Sequence, residues 1–282
     1  MSELESLSTN AKPTQRANKG LDAEYRDFVS LATEPMRAVI EAGAFGASWG
    51  AMVSLLPSGD GHPVLVLPGF GASDLYTCSL RAYLSALGYD AKPWRLGRNL
   101  GSAALLTKLD QRFNQLSARL GQPVSIVGHS LGGVYARELA RAYPEQVRQV
   151  IALGSPFAMD SQDASSPGLA RLYRRLAAGA KSLESAARPD RLRISEQRHL
   201  PPPVPTTSIY SKGDGVVDWR HCLEQSSAQT ENVEVSSSHL GMALHPGALY
   251  VVADRLQHTK QRWRKFRKPG TWRERWYASG TR

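Results

Sequence analysis

Ser130 sits between two glycines in Gly128-His129-Ser130-Leu131-Gly132, and a third glycine, Gly133, follows. An apolar run, Pro123 to Val127, leads into this segment, and an amphipathic run, Val134 to Tyr143, leaves it. A strand that turns sharply into a helix has no room for side chains beside the turn. Glycine at both flanking positions removes the Cβ atoms that would collide there. The serine is then held at the tip with its hydroxyl exposed. The next backbone N–H, that of Leu131, falls at a helix N-terminus, where it can stabilise a developing oxyanion. Residue types and spacing therefore point to Ser130 as a nucleophile.

A serine hydroxyl at its own pKa attacks poorly. It needs a base, and the base needs an orienting carboxylate. In a strand–turn–helix arrangement of this kind the chain order is serine, then acid, then histidine. His239 is the best-placed base: it lies in the loop Ser237 to Met242, just after the last predicted strand, Asn232 to Ser236. His221, His245 and His258 fall on predicted helices or their edges and read as surface residues. His199 lies in an insertion, and His62 is at the wrong end of the first strand. His129 points away from Ser130 and reads as a brace for the loop. The acid is Asp214 or Asp218. Asp214 directly follows the strand Ser208 to Ser211, in Lys212-Gly213-Asp214-Gly215. Asp218 could equally cap a helix starting near Trp219. Asp214 is preferred. The second oxyanion donor is expected from the loop Leu67 to Ser73, as the backbone N–H of Phe70 paired with that of Leu131. None of this chemistry calls for a metal or an organic cofactor.

The elements that must position these groups alternate. Val64–Leu67, Tyr89–Trp94, Val124–Val127 and Val147–Leu153 read as strands. Ser73–Leu87 and Ser102–Leu120 read as helices ended by Gly88 and Gly121. The rhythm resumes at Thr206–Tyr210 and closes with a helix from His245 to Gln257. Strands alternating with helices imply an α/β fold with a mostly parallel, doubly wound sheet. Residues 1–20 read as a disordered arm and 21–56 as N-terminal helices, the second starting at Pro35. The catalytic domain spans 57–258. It carries an insertion, 156–205, read as a helical cap over the carboxyl ends of the strands because so long a structureless loop is improbable. The cap, with its helix from Gly168 to Ala187, carries Phe157, Met159, Leu169, Leu172, Tyr173, Leu176 and Leu183 largely at helical spacing, fitting packing, an acyl-binding wall or a mobile lid. Arg171, Arg174 and Arg175 lie beside that stripe.

Composition sets limits. The 282 residues, 41% hydrophobic, suffice for one domain with a full core. No apolar run reaches the ~18 residues of a membrane span. The polar start, Met1 to Gly20, has no signal-like apolar stretch. Cys78 and Cys222 form neither a disulfide framework nor a metal-ligand pattern, so a reducing, cytoplasmic setting is expected. The net charge of +10 is concentrated: residues 259–282 hold nine Lys/Arg against one Glu, or +8. This tail interleaves Trp263, Phe266, Trp272, Trp276 and Tyr277 with the basic residues. Peripheral contact with an anionic membrane fits that composition better than nucleic acid, and a solvated or folded-back tail fits it equally well.

Gly128 to Gly133, Ser208 to Asp214 and Ser238 to Met242 together resemble the α/β-hydrolase superfamily, on its bacterial lipase and esterase side. The resemblance covers roughly residues 62–258. It implies an α/β-hydrolase fold and a serine hydrolase cleaving carboxylic esters of lipid-like or medium-chain acyl type, with a Ser130–His239–Asp214 triad. An acyltransferase on the same fold is the second reading. A non-catalytic membrane- or nucleic-acid-binding protein using the basic tail is the third, and the intact serine, acid and histidine order argues against it.

Overall fold

The computed structural model describes residues 13–56, 58–159, 192, 194–195 and 197–268, with side chains from residue 29 onward. Six strands form one all-parallel sheet: β1 (Pro63–Leu67), β2 (Asp90–Pro93), β3 (Val124–His129), β4 (Val147–Leu153), β5 (Thr206–Tyr210) and β6 (Thr230–Glu234), in the order β2-β1-β3-β4-β5-β6. The order reverses between β1 and β3, so the connections cross to opposite faces. Helices α1 (Pro13–Ser54), α2 (Cys78–Ala86) and α5 (Pro246–Leu256) cover one face, and α3 (Ala103–Leu120) and α4 (Leu131–Ala142) cover the other.

The two-residue period of a strand explains the two cores. Leu65, Leu67 and Ile126 face Phe113, Val134 and Tyr135 of α3 and α4. Val64, Val66 and Val127 face Tyr83, Leu84, Leu249 and Val252 of α2 and α5. β1 and β3 are buried along their whole length, as a parallel sheet covered on both faces requires. The doubly wound reading holds. At helix ends, Gly121 takes the left-handed conformation, φ +62°, that stops α3.

Three local readings are corrected. The N-terminal segment is one helix, not two: α1 runs unbroken through Pro35, and it already includes residues 13–20, expected as part of a disordered arm. An interior proline costs about 3 kcal/mol. Tertiary contacts offset that cost: Glu34 and Glu41 bond to loops at the sheet edge, and Phe45 and Met52 enter the core. The helix after β1 starts at Cys78 rather than Ser73, because the Asp74 carboxylate turns back to accept the N–H groups of Trp94 and Arg95, both at 3.0 Å. His221 and His245, expected at the surface, are both buried. His245 caps α5 by accepting the Ala248 N–H, and burial holds its pKa down at about 4.

The expected cap helix and its stripe from Leu169 to Leu183 lie outside the described residues, as do Arg171, Arg174 and Arg175. Phe157, Met159 and Leu192, on either side of that segment, are buried in the α3–α4 core. Of the basic tail, residues 259–268 are described. Phe266 packs edge-on against Tyr250 of α5 at 6.2 Å, with the Arg255 guanidinium 5.6 Å from its ring, so this part folds back onto the domain. Trp272, Trp276 and Tyr277 lie outside the described residues. No helix among the described residues is long and apolar enough to cross a membrane.

Candidate active site

β3 ends at His129, and α4 begins at Leu131, leaving Ser130 alone to make the turn. Its backbone sits at φ +52°, ψ −122°, a region that costs a residue with a Cβ roughly 1–3 kcal/mol. The turn is held on both sides: the Ser130 N–H donates to the Leu153 carbonyl at 2.8 Å, and the Gly133 N–H to the Ser130 carbonyl at 3.0 Å. The glycines are steric necessities. A Cβ on Gly128 would lie 2.4 Å from the Gly132 carbonyl, and one on Gly132 would lie 2.3 Å from the Leu67 oxygen. On Gly133 it would meet the Ser155 hydroxyl at 2.0 Å.

His239 follows β6 and Asp214 follows β5, so both stand at the carboxyl edge of the sheet, where β3 delivers Ser130. The His239 Nδ1–H donates to Asp214 Oδ2 at 2.6 Å, with the two side chains only 5% and 2% exposed. The other oxygen of Asp214, Oδ1, accepts the N–H groups of Val216 (2.8 Å) and Val217 (2.7 Å). These bonds fix the carboxylate, and the carboxylate fixes the imidazole tautomer, leaving Nε2 with its lone pair. Burial alone would lower the His239 pKa. The adjacent Asp214 charge, its hydrogen bond and the Glu34 charge outweigh burial, so the ring titrates above an ordinary histidine. Asp218, the alternative acid, is turned elsewhere: it accepts the Arg220 N–H at 2.9 Å and pairs with the Arg220 guanidinium.

His129 braces the histidine loop as expected. Its Nε2–H donates to the His239 carbonyl at 2.9 Å, and the two rings lie 4.9 Å apart. Burial, then the neighbouring His239, holds its pKa near 3, so it stays neutral beside the His239 ring. The Tyr76 hydroxyl donates to the Leu240 carbonyl at 2.8 Å, a further tie to this loop.

The loop after β1 passes directly over the elbow: a Cβ on Gly69 would lie 3.1 Å from the Ser130 Cβ. Asn99, fully buried, pins this loop. Its amide donates to the Pro68 carbonyl at 2.9 Å, its backbone carbonyl accepts the Gly71 N–H at 2.6 Å, and its own N–H donates to the Ala72 carbonyl at 2.8 Å. The N–H groups of Phe70 and Leu131 donate to no protein group among the described residues.

A profile for the alpha/beta hydrolase fold matches residues 67–189. The protein has the α/β-hydrolase fold. Lipase B of Aspergillus fumigatus superposes on this chain with a TM-score of 0.50 at 19% identity, covering 71% of this chain and 53% of the lipase. A monoacylglycerol lipase of Paleococcus ferrophilus gives a TM-score of 0.49 at 15% identity, covering 70% and 96%. An uncharacterised protein of Saccharomyces cerevisiae is 33% identical over 69 residues, 24% of this chain and a tenth of its own length.

Sequence reasoning missed residues that reach this edge from α1. Glu34 accepts the N–H groups of Gly215, His239 and Leu240 at 2.8, 2.9 and 2.9 Å. Glu41 accepts the Ser238 N–H at 2.7 Å and its hydroxyl at 2.6 Å. The available signal was two carboxylates seven residues apart, a spacing that places them on one face of the helix. Nothing local to that helix says what the face meets.

Proposed function

We propose that this protein is a serine hydrolase that cleaves carboxylic esters through an acyl-enzyme. Ser130 Oγ attacks the ester carbonyl carbon while His239 Nε2 takes its proton, and Asp214 holds the resulting imidazolium. The carbonyl π pair moves to oxygen, and the oxyanion rests between the N–H groups of Phe70 and Leu131. When the tetrahedral intermediate collapses, the C–O bond to the alcohol breaks and His239 returns its proton to the leaving oxygen. Water, deprotonated by His239, then releases the acid and restores Ser130. The observation that carries this reading is the buried 2.6 Å His239–Asp214 pair at the sheet edge that also bears a serine at φ +52°. An acyl ester of lipid-like or medium-chain type is the substrate class favoured, and a lipase sharing the fold agrees with it. Peripheral membrane contact through residues 259–282 belongs to the same proposal.

The test is hydrolysis of p-nitrophenyl esters from acetate to palmitate, wild type beside Ser130→Ala. Loss of turnover in the variant, with a thermal melt unchanged, is expected. Turnover in Ser130→Ala within tenfold of wild type would sink the nucleophile assignment. Product analysis with added alcohol separates hydrolysis from acyl transfer.

A further inference from the structure

The two loops that carry the acid and the base share no secondary structure, yet their side chains must meet within a few tenths of an ångström. β5 and β6 deliver them to the same edge, and beyond Tyr210 and Glu234 the ladder no longer fixes them. The Ser211 hydroxyl, which donates to the Ser237 carbonyl at 2.6 Å and accepts the Ser237 N–H at 3.1 Å, ties the two strand ends, and α1 spans the loops beyond them. Oε1 of Glu34 accepts the N–H of Gly215, the residue after Asp214, and also the N–H of His239 itself. Oε2 accepts the N–H of Leu240. One carboxylate thus bonds the acid loop and the base loop together, from a helix 205 residues away from the histidine. One turn pair further along α1, Glu41 takes the N–H of Ser238, so three consecutive N–H groups, 238 to 240, all point at carboxylates of α1.

The packing around these bonds brings the helix backbone and side chains close against both loops. A Cβ on Gly215 would lie 2.5 Å from the Ser30 carbonyl, and one on Gly241 would lie 1.6 Å from Glu41 Oε2. Both glycines therefore let α1 lie directly against the two loops. The Arg37 guanidinium bonds Glu34 Oε1 at 2.7 Å, completing the carboxylate's shell. Glu34 is 2% exposed, so water does not compete for these donors.

We propose that Glu34 is a positioning residue for the reaction: it locks Asp214 and His239 in register and adds a fixed negative charge behind the imidazole. The proposal rests on the serine hydrolase reading for its kinetic consequences, but not for its effect on His239. The titratable and charged groups around His239 among the described residues are Asp214 from the loop after β5, His129 from β3, Tyr76 before α2, and Glu34, Arg37 and Glu41 from α1. His129 remains neutral across the working range. Removing the Glu34 charge therefore takes away one of the two carboxylate charges that favour the imidazolium and lowers the pH at which His239 takes up its proton.

Glu34→Gln is close to isosteric and has one acceptor oxygen. With that oxygen in the Oε1 place, the amide NH2 confronts the Leu240 N–H, donor against donor. Glu34→Asp keeps the charge and withdraws it by about 1.5 Å, one C–C bond. In the full-length protein, Glu34→Gln is expected to lower kcat about tenfold with KM little changed, and to move the acid limb of kcat/KM to lower pH. Glu34→Asp is expected to lower kcat with a smaller displacement of that limb. Val39→Ser, on the exposed side of α1, is the control with wild-type kinetics. A purely structural role would lower the melting temperature of Glu34→Gln and leave the acid limb in place, and that result would overturn the proposal. The far-downfield Nδ1–H proton of His239, followed by NMR against pH without substrate, reads the same titration independently. If Ser130→Ala proves active, the hydrolase reading fails, and an unshifted His239 titration in Glu34→Gln is then the separate result that defeats the positioning role.

Discussion

Replacing Asp214 by asparagine asks whether the buried pair sets the tautomer of the base. The carboxylate uses Oδ2 for His239 and Oδ1 for the N–H groups of Val216 and Val217. An asparagine has one oxygen to cover both sides. Turned toward His239, it would set its NH2 against the N–H donors of half-buried Val216 and buried Val217, and leaving a buried donor unpaired costs about 1–3 kcal/mol. Turned toward Val216 and Val217, it keeps both bonds and presents NH2 to His239 Nδ1. The second orientation wins, and it forces the imidazole into the tautomer with the proton on Nε2, where it cannot accept from Ser130. A triad held in the wrong tautomer loses about 10⁴-fold in kcat, or ~5 kcal/mol of transition-state stabilisation. Asp218→Asn keeps an oxygen for the Arg220 N–H and removes only a surface ion pair, and is expected to leave kcat within about twofold. The assay is kcat/KM for a p-nitrophenyl ester, with circular dichroism to establish that both variants fold. A loss under tenfold in Asp214→Asn, or a larger loss in Asp218→Asn, would refute the tautomer argument.

Two more predictions concern pH and the elbow. In the proposed reaction His239 must be neutral to accept the Ser130 proton, and its pKa stands above the ordinary value, so kcat/KM should rise with pH through an acid limb above about 6.5; a limb at or below that value would contradict the electrostatics of the site. Gly132→Ala sets a Cβ against backbone atoms of Leu67 and Pro68 that cannot move without displacing β1, so it should lower stability by more than about 3 kcal/mol and abolish activity. By contrast, a Cβ on Gly46 in α1 would meet nothing within 4 Å, and Gly46→Ala should raise stability by about 0.5–1 kcal/mol. Chemical denaturation of both variants checks the pair.

What could be read from the chain alone was whatever neighbouring residues decide. The elbow was legible because its signature lies within six residues, Gly128 to Gly133, even though Gly132 and Gly133 make room for Leu67 and Ser155 of other segments. The strand–helix alternation was legible because hydropathy repeats along each element. The order of serine, acid and histidine narrowed the acid to two aspartates four residues apart. The spatial meeting of Asp214 with His239 followed only from how β5 and β6 deliver their loops and from the two N–H groups that aim the carboxylate. The surface reading of His221 and His245 failed because burial depends on what packs over a helix edge, which the edge does not encode. The continuity of α1 through Pro35, and the reach of Glu34 and Glu41 into the site, lay further out of view. Their partners are some 180 to 205 residues away in sequence, and a hydrogen bond between such segments leaves no periodicity or composition by which it could be found. Only the assembled sheet, with α1 laid across its carboxyl edge, brings those carboxylates to the backbone N–H groups they hold.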